Sequence, residues 1–99
     1  MDFDAKMIDK ELLAKQLPKN EIVSDDKLNG FLATLPPREL VIFCLRFQNP
    51  PWTLRAIGQR LPQYEHYHGR IIKVGISPER VRQIEAKTLR KFLGRIREP

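Results

Sequence analysis

Between Ser77 and about Arg97, cations, an amide and a carboxylate recur at helical spacing. At about 100° per residue, Glu79, Arg80, Gln83, Lys87, Arg90 and Lys91 fall on one side of a helix. Val81, Ile84, Thr88, Leu89, Phe92 and Ile96 fall on the other. The first side has the side chains that read duplex DNA: arginine bridges guanine O6 and N7, glutamine pairs with adenine N6 and N7, and a carboxylate accepts from cytosine N4. A charged face is also what any solvated helix carries, and basic amphipathic helices serve membrane surfaces too. Catalytic chemistry is not encoded: no paired carboxylates, Cys-His or Ser-His-Asp arrangement and no glycine-rich phosphate loop is present, so no enzyme and no cofactor are expected. His66 and His68 with Cys44 do not form a metal-ligand pattern, and no metal is expected.

The elements that must position this face follow from caps, prolines and periodicity. Residues 4–17 place Met7, Ile8, Leu12, Leu13 and Leu17 on one stripe, predicting an amphipathic helix that Pro18 ends. A polar connector leads to Ser24, Asp25 or Asp26 as the cap of a helix running through Leu35. Pro36 and Pro37 start the next helix, over Arg38 to Gln48, which buries Leu40, Val41, Phe43 or Cys44, and Phe47. Asn49-Pro50-Pro51 stops it. Thr53 caps a short helix over Leu54 to Leu61 with Leu54, Ile57 and Leu61 on one face. Residues 62–74 lose the pattern and read as a loop or small hairpin. Ser77-Pro78-Glu79 then supplies a cap, a first-turn proline and an early acid for the long basic helix. The expected fold is all-α, with about five helices. It divides into an N-terminal helix and connector, 1–27, and a helical domain, 28–99, carrying an insertion at 62–74.

Composition narrows the class of function. The chain has 99 residues and a formal net charge of +6. Residues 1–49 carry seven Lys/Arg against eight Asp/Glu, and residues 50–99 carry eleven against four, so the positive excess lies wholly in the second half. That asymmetry points to a polyanionic partner. A domain this small has little room for a walled substrate cavity. The single cysteine, Cys44, cannot close an internal disulfide, which fits a reducing compartment. The longest apolar run, Leu40 to Leu45, is too short for a bilayer, and the acidic start lacks a signal-peptide n-region. A cytoplasmic protein without membrane contact is expected.

A short helix at 54–61 followed by a longer basic helix is the order of a helix-turn-helix, whose second helix enters the major groove. The string Ser77-Pro-Glu-Arg-Val-Arg-Gln-Ile-Glu-Ala-Lys-Thr-Leu-Arg-Lys91 closely resembles the recognition helix of region 4 in bacterial primary-type sigma factors. Leu35-Pro-Pro-Arg-Glu39, Leu45-Arg-Phe47 and Thr53-Leu-Arg-Ala-Ile-Gly-Gln-Arg-Leu61 match the preceding parts of that region in order, so the resemblance spans about residues 28 to 97.

The resemblance implies a DNA-binding transcription regulator that recognises the promoter −35 element as double-stranded DNA and docks on the flap of the RNA polymerase β subunit. It implies base or near-base contacts from Glu79, Arg80 and Gln83. Phosphate contacts are implied for Arg38, Arg46, Thr53 and Leu54, and DNA or activator contacts for Arg82, Lys87 and Arg90. Phe47 would serve the core or the flap-binding groove. Three departures stand out. Pro78 replaces a DNA-contacting arginine, and Arg55 stands where an acid is common, adding charge near the DNA backbone. The third departure is the insertion of thirteen residues, Pro62 to Val74, within the motif. Lengthening a loop from about three to about sixteen residues costs only about 1.5 kcal/mol of closure entropy, so the two helices are expected to stay packed. Tyr64, His66, Tyr67, His68, Arg70 and Lys73 of the insertion offer aromatic and cationic groups for phosphate, a minor groove or a protein, or merely decorate a loop.

The chain has no room for the aromatic-rich segments that melt a promoter. If Met1 is the true start, the expectation is a free-standing region 4, phage-encoded or acting beside a separate sigma or melting subunit. The competing reading is a phage-type, polymerase-binding modulator that displaces the resident region 4 without reading −35 DNA. A third is a general DNA-binding module, for instance in phage DNA packaging. The segment 4–17 lies outside the resemblance and is read as a spacer, a dimer contact, a second polymerase contact or packing on its own domain.

Overall fold

A computed structural model describes residues 3–61, 63–67 and 69–96, with the strand residues 63–67 and 70–74 described in backbone only. A 3-10 turn, Ala5–Met7, precedes five α-helices: α1, Lys10–Ala14; α2, Asp25–Leu32; α3, Pro37–Arg46; α4, Leu54–Arg60; and α5, Pro78–Ile96. Between α4 and α5 lie two short antiparallel strands, β1, Gln63–Tyr67, and β2, Arg70–Val74, paired from Gln63 with Val74 to Tyr67 with Arg70. The body is thus a small, compact helical domain, and the inserted segment is a hairpin. Gly69 in its connection has φ of 77°, where a residue without Cβ is not strained.

Most helix starts are set by caps. Ser24 Oγ accepts from Lys27 N–H, Thr53 Oγ1 from Ala56 N–H and Ser77 Oγ from Arg80 N–H, each satisfying a first-turn donor that no carbonyl of the helix can reach. Pro36 caps α3 with no side-chain hydrogen bond, and Pro37 removes one orphan donor outright.

The expected continuous helix over 4–17 is interrupted. Asp4 caps the 3-10 turn and Asp9 caps α1, accepting from the N–H groups of Glu11 and Leu12. The N–H of Asp9 leaves the helical pattern to donate to the carbonyl of Phe47 at 2.6 Å. Two side-chain caps five residues apart outcompete continuous helix, because aspartate stabilises helix starts better than interiors. The segment packs on its own domain through Ala5, Ile8, Leu13 and Leu17, an Ala5 N–H bond to Asn29 Oδ1 and a Lys10–Asp25 ion pair. Three other helices are shorter than expected: α2 ends at Leu32 rather than Leu35, α3 at Arg46 rather than Gln48, and α4 at Arg60 rather than Leu61.

Two apolar clusters hold the helices. The first joins Leu13, Leu17 and Val23 to Leu28, Phe31, Leu32, Phe43, Cys44, Phe47 and Phe92. Within it the Phe31 ring lies 5.4 Å from Phe43 and 4.9 Å from Phe92, in edge-on or tilted contacts favoured by the ring quadrupoles. The second joins Ile42 and Leu45 of α3, Ile57 of α4, Ile76, and Val81 and Ile84 of α5, with Leu54 and Leu61 against it. Both α3 and α5 contribute to both clusters, so they form the spine on which α4 is mounted. On α3 the fully buried positions include Ile42, Phe43, Cys44 and Leu45, whereas Leu40 and Val41 are half-buried.

Gly58 is required at the contact between α4 and the approach to α5. A Cβ there would run into the backbone oxygen of Ile76, whose N–H donates to the Gly58 carbonyl at 3.2 Å. Among the described residues, no helix is long and apolar enough to cross a membrane.

Candidate nucleic-acid interface

The two faces of α5 separate as its periodicity predicts. Val81, Ile84, Thr88 and Phe92 are buried, Leu89 and Ile96 are half-buried, and Glu79, Arg80, Gln83, Lys87, Arg90 and Lys91 are exposed. Burial of one face fixes the rotation of the helix, so the exposed side chains project together. Arg80 Nη1 donates to Gln83 Oε1 at 3.4 Å, a long bond that leaves both groups within reach of a ligand. Arg38, near the start of α3, joins them: an open groove between α3 and α5 is lined by Pro36, Arg38, Glu39, Arg80, Gln83 and Lys87.

Glu79 and Arg82 form a bidentate ion pair on the surface, with Arg82 Nε donating to Glu79 Oε2 at 2.9 Å. Those hydrogen bonds hold the Glu79 carboxyl below the usual glutamate range and push the Arg82 guanidinium pKa up. Glu79 is therefore an acceptor with a cation already attached, in the first turn of α5.

On α4, Thr53 is exposed with its hydroxyl engaged as the cap, Leu54 is half-buried against the second cluster, and Arg55 is exposed. The guanidinium of Arg60 stacks over the Trp52 ring, 5.4 Å from its centre.

Two residues sit differently from the rest of the resemblance-derived set. Arg46 turns inward: Nη1 donates to the Trp52 carbonyl at 2.9 Å, and Nε lies 3.2 Å from Glu85 Oε2. The Nε atom is buried and, although within ion-pair distance, is not aligned for a hydrogen bond. Phe47 is only 4% exposed, packs with its ring 5.0 Å from Phe43 and has Asp9 bonded to its carbonyl. Its place is in the core.

Three residues that organise this surface, Glu39, Glu85 and Gly58, have no role assigned from the sequence. Glu39, 6% exposed, accepts from Lys91 Nζ, tying α3 to the basic helix, while the Thr88 hydroxyl, 3.4 Å from Glu39 Oε1, donates to the Ile84 carbonyl at 2.8 Å. Lys91, although on the exposed side of α5, is thereby committed to a protein partner. Glu85 compensates Arg46. Gly58 permits the close approach at Ile76, and a glycine inside an otherwise helical run was its only sequence signal.

Compared with protein-family models, characterised proteins and solved structures, the chain matches none.

The insertion's Tyr64, His66, Tyr67, His68, Arg70 and Lys73 carry their side chains outside the described residues, and with them falls the question of a His66, His68 and Cys44 metal set. Among the described residues no three His, Cys, Asp or Glu side chains cluster as a metal site. Cys44 is fully buried, and desolvation, reinforced by the nearby Asp4 charge, pushes its thiol pKa up to about 12. A thiol so held is a core side chain rather than a nucleophile.

Proposed function

We propose that the protein is a DNA-binding transcription regulator of the sigma region 4 kind, in which α4 and α5 act as a helix-turn-helix interrupted by the hairpin. In this reading α5 enters the major groove of −35-like promoter DNA. The observation that carries it is the division of α5: one face is buried in both core clusters, while Arg80, Gln83, Lys87 and Arg90 are exposed together on the other. The ordered sequence resemblance over residues 28 to 97 supports the same reading. Arg80 and Gln83 would contact bases, Glu79 would accept from a base with Arg82 at its side, and Arg38, Arg55, Lys87 and Arg90 would neutralise phosphates. The Thr53 and Leu54 end of α4 would meet the DNA backbone. The polymerase β-flap is the proposed protein partner, with a separate sigma or melting subunit supplying promoter opening, in a bacterial or phage-infected cytoplasm.

Footprinting of promoter DNA with polymerase core enzyme and the full chain tests this directly. Protection centred on the −35 element is expected.

One observation favours a second reading. Arg46, which the resemblance would place on a phosphate, is engaged with Glu85 and the Trp52 carbonyl. A phage-type modulator that binds polymerase and displaces the resident region 4 without reading −35 DNA needs no such phosphate contact. Co-purification with polymerase and no −35 footprint would establish that role instead.

A further inference from the structure

Residue 52 is clamped from both sides. Its N–H donates to the Leu45 carbonyl at 2.9 Å and its carbonyl accepts from Arg46 Nη1 at 2.9 Å, so the last turn of α3 holds the residue immediately before the Thr53 cap of α4. Arg46 in turn faces Glu85 on α5, whose side chain is only 17% exposed. The chain of contacts runs from α5 through Glu85 and Arg46 to the start of α4, a second link between these helices beside the apolar contact of Ile57 with Val81 and Ile84.

The sign of the Glu85 charge is informative. On a helix that presents cations to a polyanion, a carboxylate opposes binding through its field, and its removal by itself would strengthen association. Arg82, three residues earlier, also senses Glu85, but its guanidinium is bonded to Glu79. Glu85 is thus left facing Arg46, whose Nε is buried and has no hydrogen-bond acceptor. Without Glu85 the guanidinium would lose its compensating charge and be drawn toward solvent, releasing the Trp52 carbonyl.

Resting on the DNA-binding reading above, we infer that Glu85, acting through Arg46, is a positioning residue that fixes the start of α4 against α5 and so sets the pose in which the two helices meet DNA. Arg46 then contributes to recognition by holding Trp52 rather than by neutralising a phosphate.

The test uses the full chain and the variants E85Q, R46K and E85Q/R46K. Each is titrated into a labelled duplex carrying a −35 element at several salt concentrations, with amide exchange of Ala56 and Ile57 followed in the free proteins. E85Q and R46K are each expected to bind about tenfold more weakly, with the double variant no weaker than the worse single one, as coupled residues behave. The dependence of affinity on salt should stay that of the wild type, whereas a lost phosphate contact lowers the slope by about one. Exchange at Ala56 and Ile57 should accelerate in E85Q. The inference is overturned if E85Q binds as tightly as the wild type or more tightly, if R46K keeps full affinity because charge alone suffices, or if α4 exchange is unchanged. Should E85Q fail to fold, R46K carries the same three readouts. Wild-type protein that does not bind the duplex overturns the DNA-binding reading, and the exchange measurement still decides whether Glu85 holds α4.

Discussion

The ammonium of Lys91 in α5 donates to both carboxylate oxygens of Glu39 in α3, at 2.9 and 3.0 Å, across 52 residues of chain. Glu39 is 6% exposed, and Lys91 is the cation bonded to it. The bond joins the two spine helices beside the groove that Arg38, Arg80 and Lys87 line.

K91M should therefore destabilise the fold by about 1–2 kcal/mol, below the cost of breaking a fully buried pair because the lysine side chain is 43% exposed. Urea unfolding of K91M, E39Q and the double variant measures the coupling. The double variant should lose clearly less than the sum of the single ones, and strict additivity would mean the pair contributes nothing.

Two glycines in helices should respond to alanine with opposite signs. At Gly58 the new Cβ meets the Ile76 backbone oxygen, so G58A should cost about 1–3 kcal/mol despite better helix propensity. At Gly94, exposed on α5 with open space around a Cβ, G94A should gain about 0.5–1 kcal/mol. Thermal or urea unfolding of the two variants checks both signs.

The Glu79–Arg82 pair has a pH signature. The Glu79 pKa is lowered in the fold chiefly by the Arg82 hydrogen bond, so whatever stability the pair adds is present above the ordinary glutamate range. That contribution is lost as pH falls through the lowered folded value. Following the Glu79 side-chain carboxyl by NMR should give a midpoint below the ordinary value, and R82Q should return it to the ordinary range.

Cys44 should be inert while the protein is folded. With its pKa raised from 9.0 to about 12, the thiol stays protonated and enclosed at pH 8. A thiol reagent is expected to label it only after denaturation. Because the fold favours the protonated form, stability from this group is full below about pH 9 and declines as pH rises towards 12.

Much of this architecture was legible because it rests on local rules. Ser24, Thr53 and Ser77 cap their helices as their positions in the sequence predict, and Val81, Ile84, Thr88 and Phe92 are buried at the spacing that names them. The break at Asp9 was hidden because the apolar stripe from Met7 to Leu17 is continuous on a helical wheel, while the bond that interrupts it reaches Phe47, far along the chain. The same holds for the site. Helical spacing placed Arg80, Gln83, Lys87 and Arg90 on the exposed face, but the partners of Glu39, Arg46 and Glu85 come from other helices. Pairing across helices is set by tertiary packing, and a helical wheel of one segment counts Lys91 as a solvent-facing cation although it is tied to a buried carboxylate.

Fluorescence anisotropy with a −35-containing duplex over a salt series tests most directly whether the exposed face of α5 reads duplex DNA. Wild-type affinity should fall steeply with salt, and R80A/Q83A should weaken binding and erase the preference for the −35 sequence over a scrambled duplex. Equal binding of wild type and R80A/Q83A, with no discrimination between the two duplexes, would contradict that role for α5.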